Sequence, residues 1–327
     1  MANEVDAGGS GALASGRAKA AVSDAPTPLN PTESSNSANA SAPSNSVVTP
    51  NRQIGEVCPA AMLIVPGGTF TMGADLGGEE DEHPAHSVSV SSFCLDEREV
   101  TVQEYVACVD AKVCRMYRED AARSFRAGDD ARYRMPRQPI SGVSWDDANT
   151  YCRWKNKRLP REAEWERAAR GDDDRTYPWG REQPDPKRHG CFAHAMGPMG
   201  QPTCEVGSFP QGKGPYGHLD LGGNVWEWTA DDYDPYAYRR ASAPQGVPGS
   251  CAEILRTQID LRAAGRQGFT GKNPIPDTCE KVLRGGAFNY PGAGLRVTNR
   301  VHHPGNWRML VAGFRCAADS GRVPSAN

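Results

Sequence analysis

The sequence predicts a loop-rich domain of short strands with a few helices, not a helical bundle. Two observations point there. Glycine (35) and proline (26) are frequent, which suits turns and short strands better than long helices. Helical signals are few, and none of any strength follows Tyr177-Pro178-Trp179-Gly180.

The elements read in order. Ala61–Pro66 and Gly68–Gly73 are two short strands joined at Pro66-Gly67. Gly77-Gly78-Glu79-Glu80-Asp81-Glu82 reads as a solvated acidic loop. His86–Ser91 alternates as a half-buried strand does, and Phe93–Asp96 continues it. Thr101 and Glu104 form a capping box ahead of a helix with Tyr105, Val106 and Val109 on its apolar face. Ser144 and Asp147 cap a second helix carrying Ala148, Tyr151, Cys152 and Trp154. A third runs from about Arg161 to Arg170, with Ala163, Trp165 and Ala168 apolar, and stops at Gly171. Residues 115–138 carry no clear pattern, and 235–280 read as a long insertion with Cys251 and Cys279 at its ends. A long structureless loop is uncommon unless stapled, so these two cysteines are paired. Val282–Arg284 is a short strand, Ala312–Ala317 the last one, and the tail 321–327 is expected to fray.

Residues 1–56 are rich in Ala, Ser, Asn and Pro, with no aromatic residue and no cysteine. Such a stretch buries too little apolar surface to offset its ordering entropy. It is expected to be a disordered tether ahead of a folded part spanning 57–320.

Composition excludes several function classes. The net charge is -3 and no Lys/Arg run appears, so nucleic acid is not an expected partner. No apolar run approaches a membrane span. No P-loop, nucleophile elbow or dinucleotide fingerprint is present. The ten cysteines are Cys58, Cys94, Cys108, Cys114, Cys152, Cys191, Cys204, Cys251, Cys279 and Cys316. They are even in number, dispersed, and lack zinc spacing, which argues for disulfides and an oxidising compartment. The alternative is a reduced protein with buried thiols. Met1-Ala2-Asn3-Glu4 opens no signal peptide, so an exported protein would have lost its signal or anchor.

The stretch the chain is organised around is Gly217–Trp228. Glycines 222 and 223 allow a tight turn. Asp220, Asn224 and Glu227 are hard oxygen donors, and turn carbonyls can join them around a Ca²⁺ ion. Trp226 and Trp228 stand two apart and share a face if extended. A glycine turn leading into a core strand, with no ion, accounts for the residues equally well.

Several stretches in fixed order now carry a resemblance. They are Ile64–Gly73, Arg98-Glu99-Val100-Thr101, Lys157–Glu166, Tyr177–Gly180, Gly223–Trp228, Arg284-Gly285-Gly286 and Gly313-Phe314-Arg315-Cys316. Together they resemble the formylglycine-generating enzyme, or sulfatase-modifying factor, family over residues 60–318. The resemblance implies an α+β, C-type-lectin-like fold, low in regular structure, with structural Ca²⁺. It places the ion's ligands at the Asp220 and Glu227 side chains and the Gly223 and Val225 carbonyls. It also implies a disulfide from Cys152 to Cys316. The remaining pairs, Cys58–Cys94, Cys108–Cys114 and Cys191–Cys204, are expected from proximity alone. A second calcium site of the family is not expected, because His189-Gly190-Cys191-Phe192 stands where its ligands would be.

One departure matters for function. The resemblance implies a copper ion held by two cysteines after the Arg-Gly-Gly turn, because thiolates suit Cu(I). Those positions hold Tyr290 and Leu295, and Ala287 replaces a serine. No catalytic residue and no copper are therefore expected. The family's peptide groove would lie around Ala287, Tyr290, Arg296, Arg300 and Trp307. The expected function is an exported, calcium-stabilised module binding an unidentified peptide or protein. The alternative is an oxidoreductase of this family with altered metal chemistry.

Overall fold

The computed structural model describes residues 56–116, 131–192, 203–239, 248–264 and 278–322. All of them fall in one compact unit, Arg52–Asn327. The expected tether lies outside the described residues except for Glu56, as do residues 323–327 of the expected frayed tail.

Eleven short strands and four α-helices appear among the described residues. The strands are β1 (Glu56–Val57), β2 (Met62–Val65), β3 (Gly68–Met72), β4 (His86–Val90), β5 (Phe93–Asp96), β6 (Trp226–Asp232), β7 (Glu280–Arg284), β8 (Arg300–Pro304), β9 (Ala312–Gly313), β10 (Ala317–Asp319) and β11 (Gly321–Arg322). The helices are α1 (Val102–Asp110), α2 (Trp145–Trp154), α3 (Glu162–Arg170) and α4 (Cys251–Ala263). The main sheet runs β8-β7-β6-β9, with β9 parallel to β6 and the other neighbours antiparallel. A second sheet runs β10-β5-β2, β3 pairs with β4, and β1 pairs with β11.

Local chemistry explains the predicted elements. In β3, Phe70 and Met72 are buried while Thr69 and Thr71 are exposed, and Phe70 sits opposite Val88 of β4. Thr101 and Glu104 form the capping box of α1, and Ser144 and Asp147 that of α2. Gly171 ends α3 in a left-handed conformation at φ 71°. The largest core cluster joins Tyr105, Tyr151, Trp226, Trp228 and Phe314 with Cys152 and Cys316, between α1, α2 and the main sheet.

Several expectations are corrected. Phe93–Asp96 does not continue β4: the chain breaks at Ser91-Ser92, and β5 enters a different sheet. The last strand splits into β9 and β10, because Phe314, Arg315 and Cys316 leave the ladder to fill the core. Gly321–Arg322 does not fray but pairs with β1. The acidic loop is not simply solvated: Asp81 accepts a hydrogen bond from Tyr233 at 2.7 Å, and Glu82 one from Arg296 at 2.7 Å, both acids being buried. Within 235–280 stands a helix, α4, that the sequence reading missed. Only its Ile254 is deeply buried, so its apolar face is weak; Ser250 and Glu253 cap it.

The five disulfides are Cys58–Cys94, Cys108–Cys114, Cys152–Cys316, Cys191–Cys204 and Cys251–Cys279. These are the pairs expected from the chain, and no free cysteine is left.

Candidate functional site

The Gly217–Trp228 turn is wound by four residues at positive φ. They are Gly217 (97°), Asp220 (56°), Gly223 (97°) and Asn224 (58°). Asp and Asn tolerate this conformation because their short side chains bond locally. Gly207 N donates to Asp220 Oδ2 at 2.6 Å. Cys204 N donates to Asn224 Oδ1 at 2.9 Å, and Asn224 Nδ2 donates to Glu99 Oε2 at 2.6 Å. The main chain is held as firmly: Asn224 N donates to Cys191 O at 2.8 Å, and Gly223 N to Gly285 O at 2.9 Å. A Cβ on Gly223 would sit 2.6 Å from Cys191 O, so only glycine fits there.

Beyond the turn, β6 carries Glu227 into the interior. Arg315 Nε donates to Glu227 Oε2 at 2.7 Å and Nη2 to Oε1 at 2.8 Å. Trp165 Nε1 also donates to Oε2, at 2.9 Å. Arg315 further donates to the carbonyls of Asp96, Glu97 and Leu219. Three buried carboxylates, Glu99, Asp220 and Glu227, thus surround one guanidinium. Burial pushes the Glu99 carboxyl well above its usual range, and repulsion from Asp220 and Glu227 adds to it. Burial likewise raises Asp220, with Glu227 contributing.

The expected side-chain ligands of a hard divalent cation, Asp220 and Glu227, are both buried at this turn, and oxygen is the donor such an ion prefers. A carboxylate has about four lone-pair sites, and the bonds to Arg315 and Trp165 take three on Glu227. Among the described residues no three His, Cys, Asp or Glu side chains converge as a metal cage. An ion here would therefore depend on carbonyls, as the set Asp220, Gly223, Val225 and Glu227 requires. Of the paired histidines on β8, His302 pairs with Glu280 and His303 stacks on Trp307.

The predicted groove residues do not share one environment. The Arg284-Gly285-Gly286 turn leads into Ala287, which is fully buried. The Tyr290 ring meets Trp226 edge-on, with centroids 5.2 Å apart, and stays partly exposed. Leu295 is fully buried against Tyr177 and Phe192, with Trp179 alongside. Arg296 is partly exposed and bonds Glu82. Arg300 is buried: it grips Glu162 with two hydrogen bonds of 2.7 and 2.9 Å and lies over the Tyr238 ring. Trp307 is half exposed and stacked on His303 at 5.1 Å. Tyr290, Arg296 and Trp307 therefore keep surface, while Ala287 and Arg300 do not.

Two features escaped the sequence reading. One is the ion-pair network of Glu162, Glu166, Arg170, Arg284 and Arg300 beneath the glycine turn. Its signal was the four-residue spacing of Glu162, Glu166 and Arg170 on α3. The other is the Trp226 indole. Trp145, Trp165, Trp179 and Trp228 all donate through Nε1, whereas Trp226 Nε1 is buried with no partner among the described residues.

Comparison with known proteins places this architecture. A mouse protein named inactive C-alpha-formylglycine-generating enzyme 2 is 35% identical, over 84% of this chain and 90% of its own. The formylglycine-generating enzyme of Thermomonospora curvata is 32% identical, over 79% of this chain and 93% of its own. Among solved structures, PvdO from Pseudomonas aeruginosa superposes with a TM-score of 0.57 at 26% identity, over 79% of this chain and 94% of that one. The fold is the formylglycine-generating-enzyme type of C-type-lectin-like fold, mixed α+β with sparse regular structure. The sulfatase-modifying factor enzyme 1-like domain is matched over residues 49–320, and the chain belongs to that family.

Proposed function

We propose that this protein is an exported, calcium-stabilised binding or accessory module of its family that does not generate formylglycine. One observation carries the reading: all ten cysteines are in disulfides, so no thiolate remains to hold Cu(I). Tyr290 and Leu295 stand where the copper cysteines are expected, and Leu295 is packed among aromatic rings. The name of the mouse relative supports a loss of activity, whereas that of the Thermomonospora relative does not.

Binding is supported by the surface left at Tyr290, Arg296 and Trp307, and by the Trp226 indole N–H, which a ligand carbonyl would satisfy. The ligand class is a peptide or protein segment. Calcium is supported by the three carboxylates around Arg315, and export by five disulfides of a kind that persists in oxidising compartments. No helix of the described residues is long and apolar enough to cross a membrane.

Copper titration of the purified protein, with oxygen uptake in the presence of a cysteine-containing peptide, tests the reading. The expected result is no sulfur-bound copper and no peptide-dependent uptake. A cuprous centre or thiol-dependent oxygen consumption would establish the altered-metal oxidoreductase instead.

A further inference from the structure

We infer that the Cys191–Cys204 disulfide is the clamp that holds the Asp220–Glu227 turn in its ion-binding shape, so that opening this one bridge loosens the ion. The inference rests on the calcium reading above. Its basis is where the two half-cystines lie. Cys191 O accepts from Asn224 N at 2.8 Å, and Cys204 N donates to the same residue's Oδ1 at 2.9 Å. Asn224 thus holds both sides of the bridge at once. Three residues beyond Cys204, Gly207 N donates to Asp220 Oδ2 at 2.6 Å. On the other side the backbones lie flush: a Cβ on Gly190 would fall 2.4 Å from Gly222 O, and one on Gly223 2.6 Å from Cys191 O.

The bridge closes a separation of 13 residues. Without it, the hydrogen bonds named above that join the two segments run through Asn224 alone. Gly207 N is then held less firmly against Asp220. The other four disulfides touch the turn through no hydrogen bond named here; Cys152–Cys316, next to Arg315, is fully buried. Cys204 is partly exposed, so an external dithiol can reach it. The step balances: the dithiol gives two electrons and becomes a disulfide, and Cys191 and Cys204 become thiols.

The test compares the full chain with Cys191→Ser/Cys204→Ser and, as a control, Cys108→Ser/Cys114→Ser. Calcium affinity is measured by titration calorimetry, and exchange of the Asn224 and Gly207 amides by NMR. The expected result is a Kd raised at least tenfold, and amide exchange accelerated at least tenfold, in the first variant only. Unchanged affinity and exchange in a folded Cys191→Ser/Cys204→Ser protein would overturn the inference. A parent protein that binds no calcium defeats the calcium reading separately, and the exchange rates then decide whether the bridge clamps the turn. If the double variant does not fold, Asn224→Gly serves in its place, because glycine accepts the φ of 58° while the side-chain ties to Cys204 and Glu99 are lost. It should show the same direction of change, and parental affinity and exchange there also overturn the inference.

Discussion

Arg315 holds Glu227 in a two-pronged grip, Nε to Oε2 at 2.7 Å and Nη2 to Oε1 at 2.8 Å, with neither side chain reaching solvent. Such parallel donation is what a guanidinium offers and an ammonium does not. Removing one partner of a buried pair strands the other charge, at a cost of about 3–5 kcal/mol. Here the stranded charge would be Glu227 with Glu99 and Asp220 nearby. Arg315→Leu should therefore lower the unfolding free energy by about that amount, read from the urea midpoint. A loss under ~1 kcal/mol would show that the pair contributes little.

Acid should unfold the protein partly through His218. Its ring is wholly buried, and neither nitrogen makes a well-formed hydrogen bond, the Leu63 and Leu95 backbones offering only poor partners. Burial, aided by Arg315, pulls its pKa down to about 3. The unfolded chain titrates near about 6.5. Below that pH the unfolded state takes up a proton that the native state refuses, so stability is full above about pH 6.5 and falls as pH drops toward 3. Asp231 acts in the opposite sense. Burial, with repulsion from Glu162 and Glu164, raises its pKa to about 6, so its share of stability falls as pH rises from about 4 to 6. His218→Leu should flatten the slope of stability against pH, and Asp231→Asn should steepen it between about pH 4 and 6. Identical slopes in the parent and His218→Leu proteins would remove the histidine from this account.

The disulfides should differ in worth by the loop each closes. Cys152–Cys316 spans 164 residues and Cys108–Cys114 spans 6. Loop-closure entropy then assigns about 5 kcal/mol to the first and about 2 kcal/mol to the second. Paired Cys→Ser variants, compared by guanidinium denaturation, should keep that order. A reversal would mean that packing around the sulfurs, not chain entropy, sets the values.

Gly223→Ala should be far costlier than Gly180→Ala. Both positions have positive φ, 97° and 130°, but only at Gly223 does a Cβ meet another atom, Cys191 O at 2.6 Å. Backbone strain alone costs roughly 1–3 kcal/mol at either site. The difference in thermal midpoint between the two variants isolates the clash. Equal midpoints would mean that the turn can open to admit a methyl group.

Much of this protein is legible in the chain because the signals are local. Thr101 with Glu104 and Ser144 with Asp147 announce their helices by spacing alone. The turn glycines declare themselves by position. What stays hidden is long-range or runs against the usual sorting of charge. Arg284, Arg300, Glu162 and Glu166 look like surface residues in sequence, yet each is buried because its partners lie far along the chain. Arg300 was therefore assigned to an open groove that its pairing with Glu162 closes to it. The helix α4 was missed for a related reason: one buried isoleucine does not make a periodic face. Strands that trade partners, as β4 and β5 do, leave no trace in alternation.

The pairing of β1 with β11 sets Glu56 directly across from Arg322. Chain entering the domain and chain leaving it are therefore side by side, like the two leads of a plug. A unit wired this way can be spliced into a loop of a host protein without prising that loop apart, and its own ends can be fused and reopened elsewhere to give a permuted molecule with the same core.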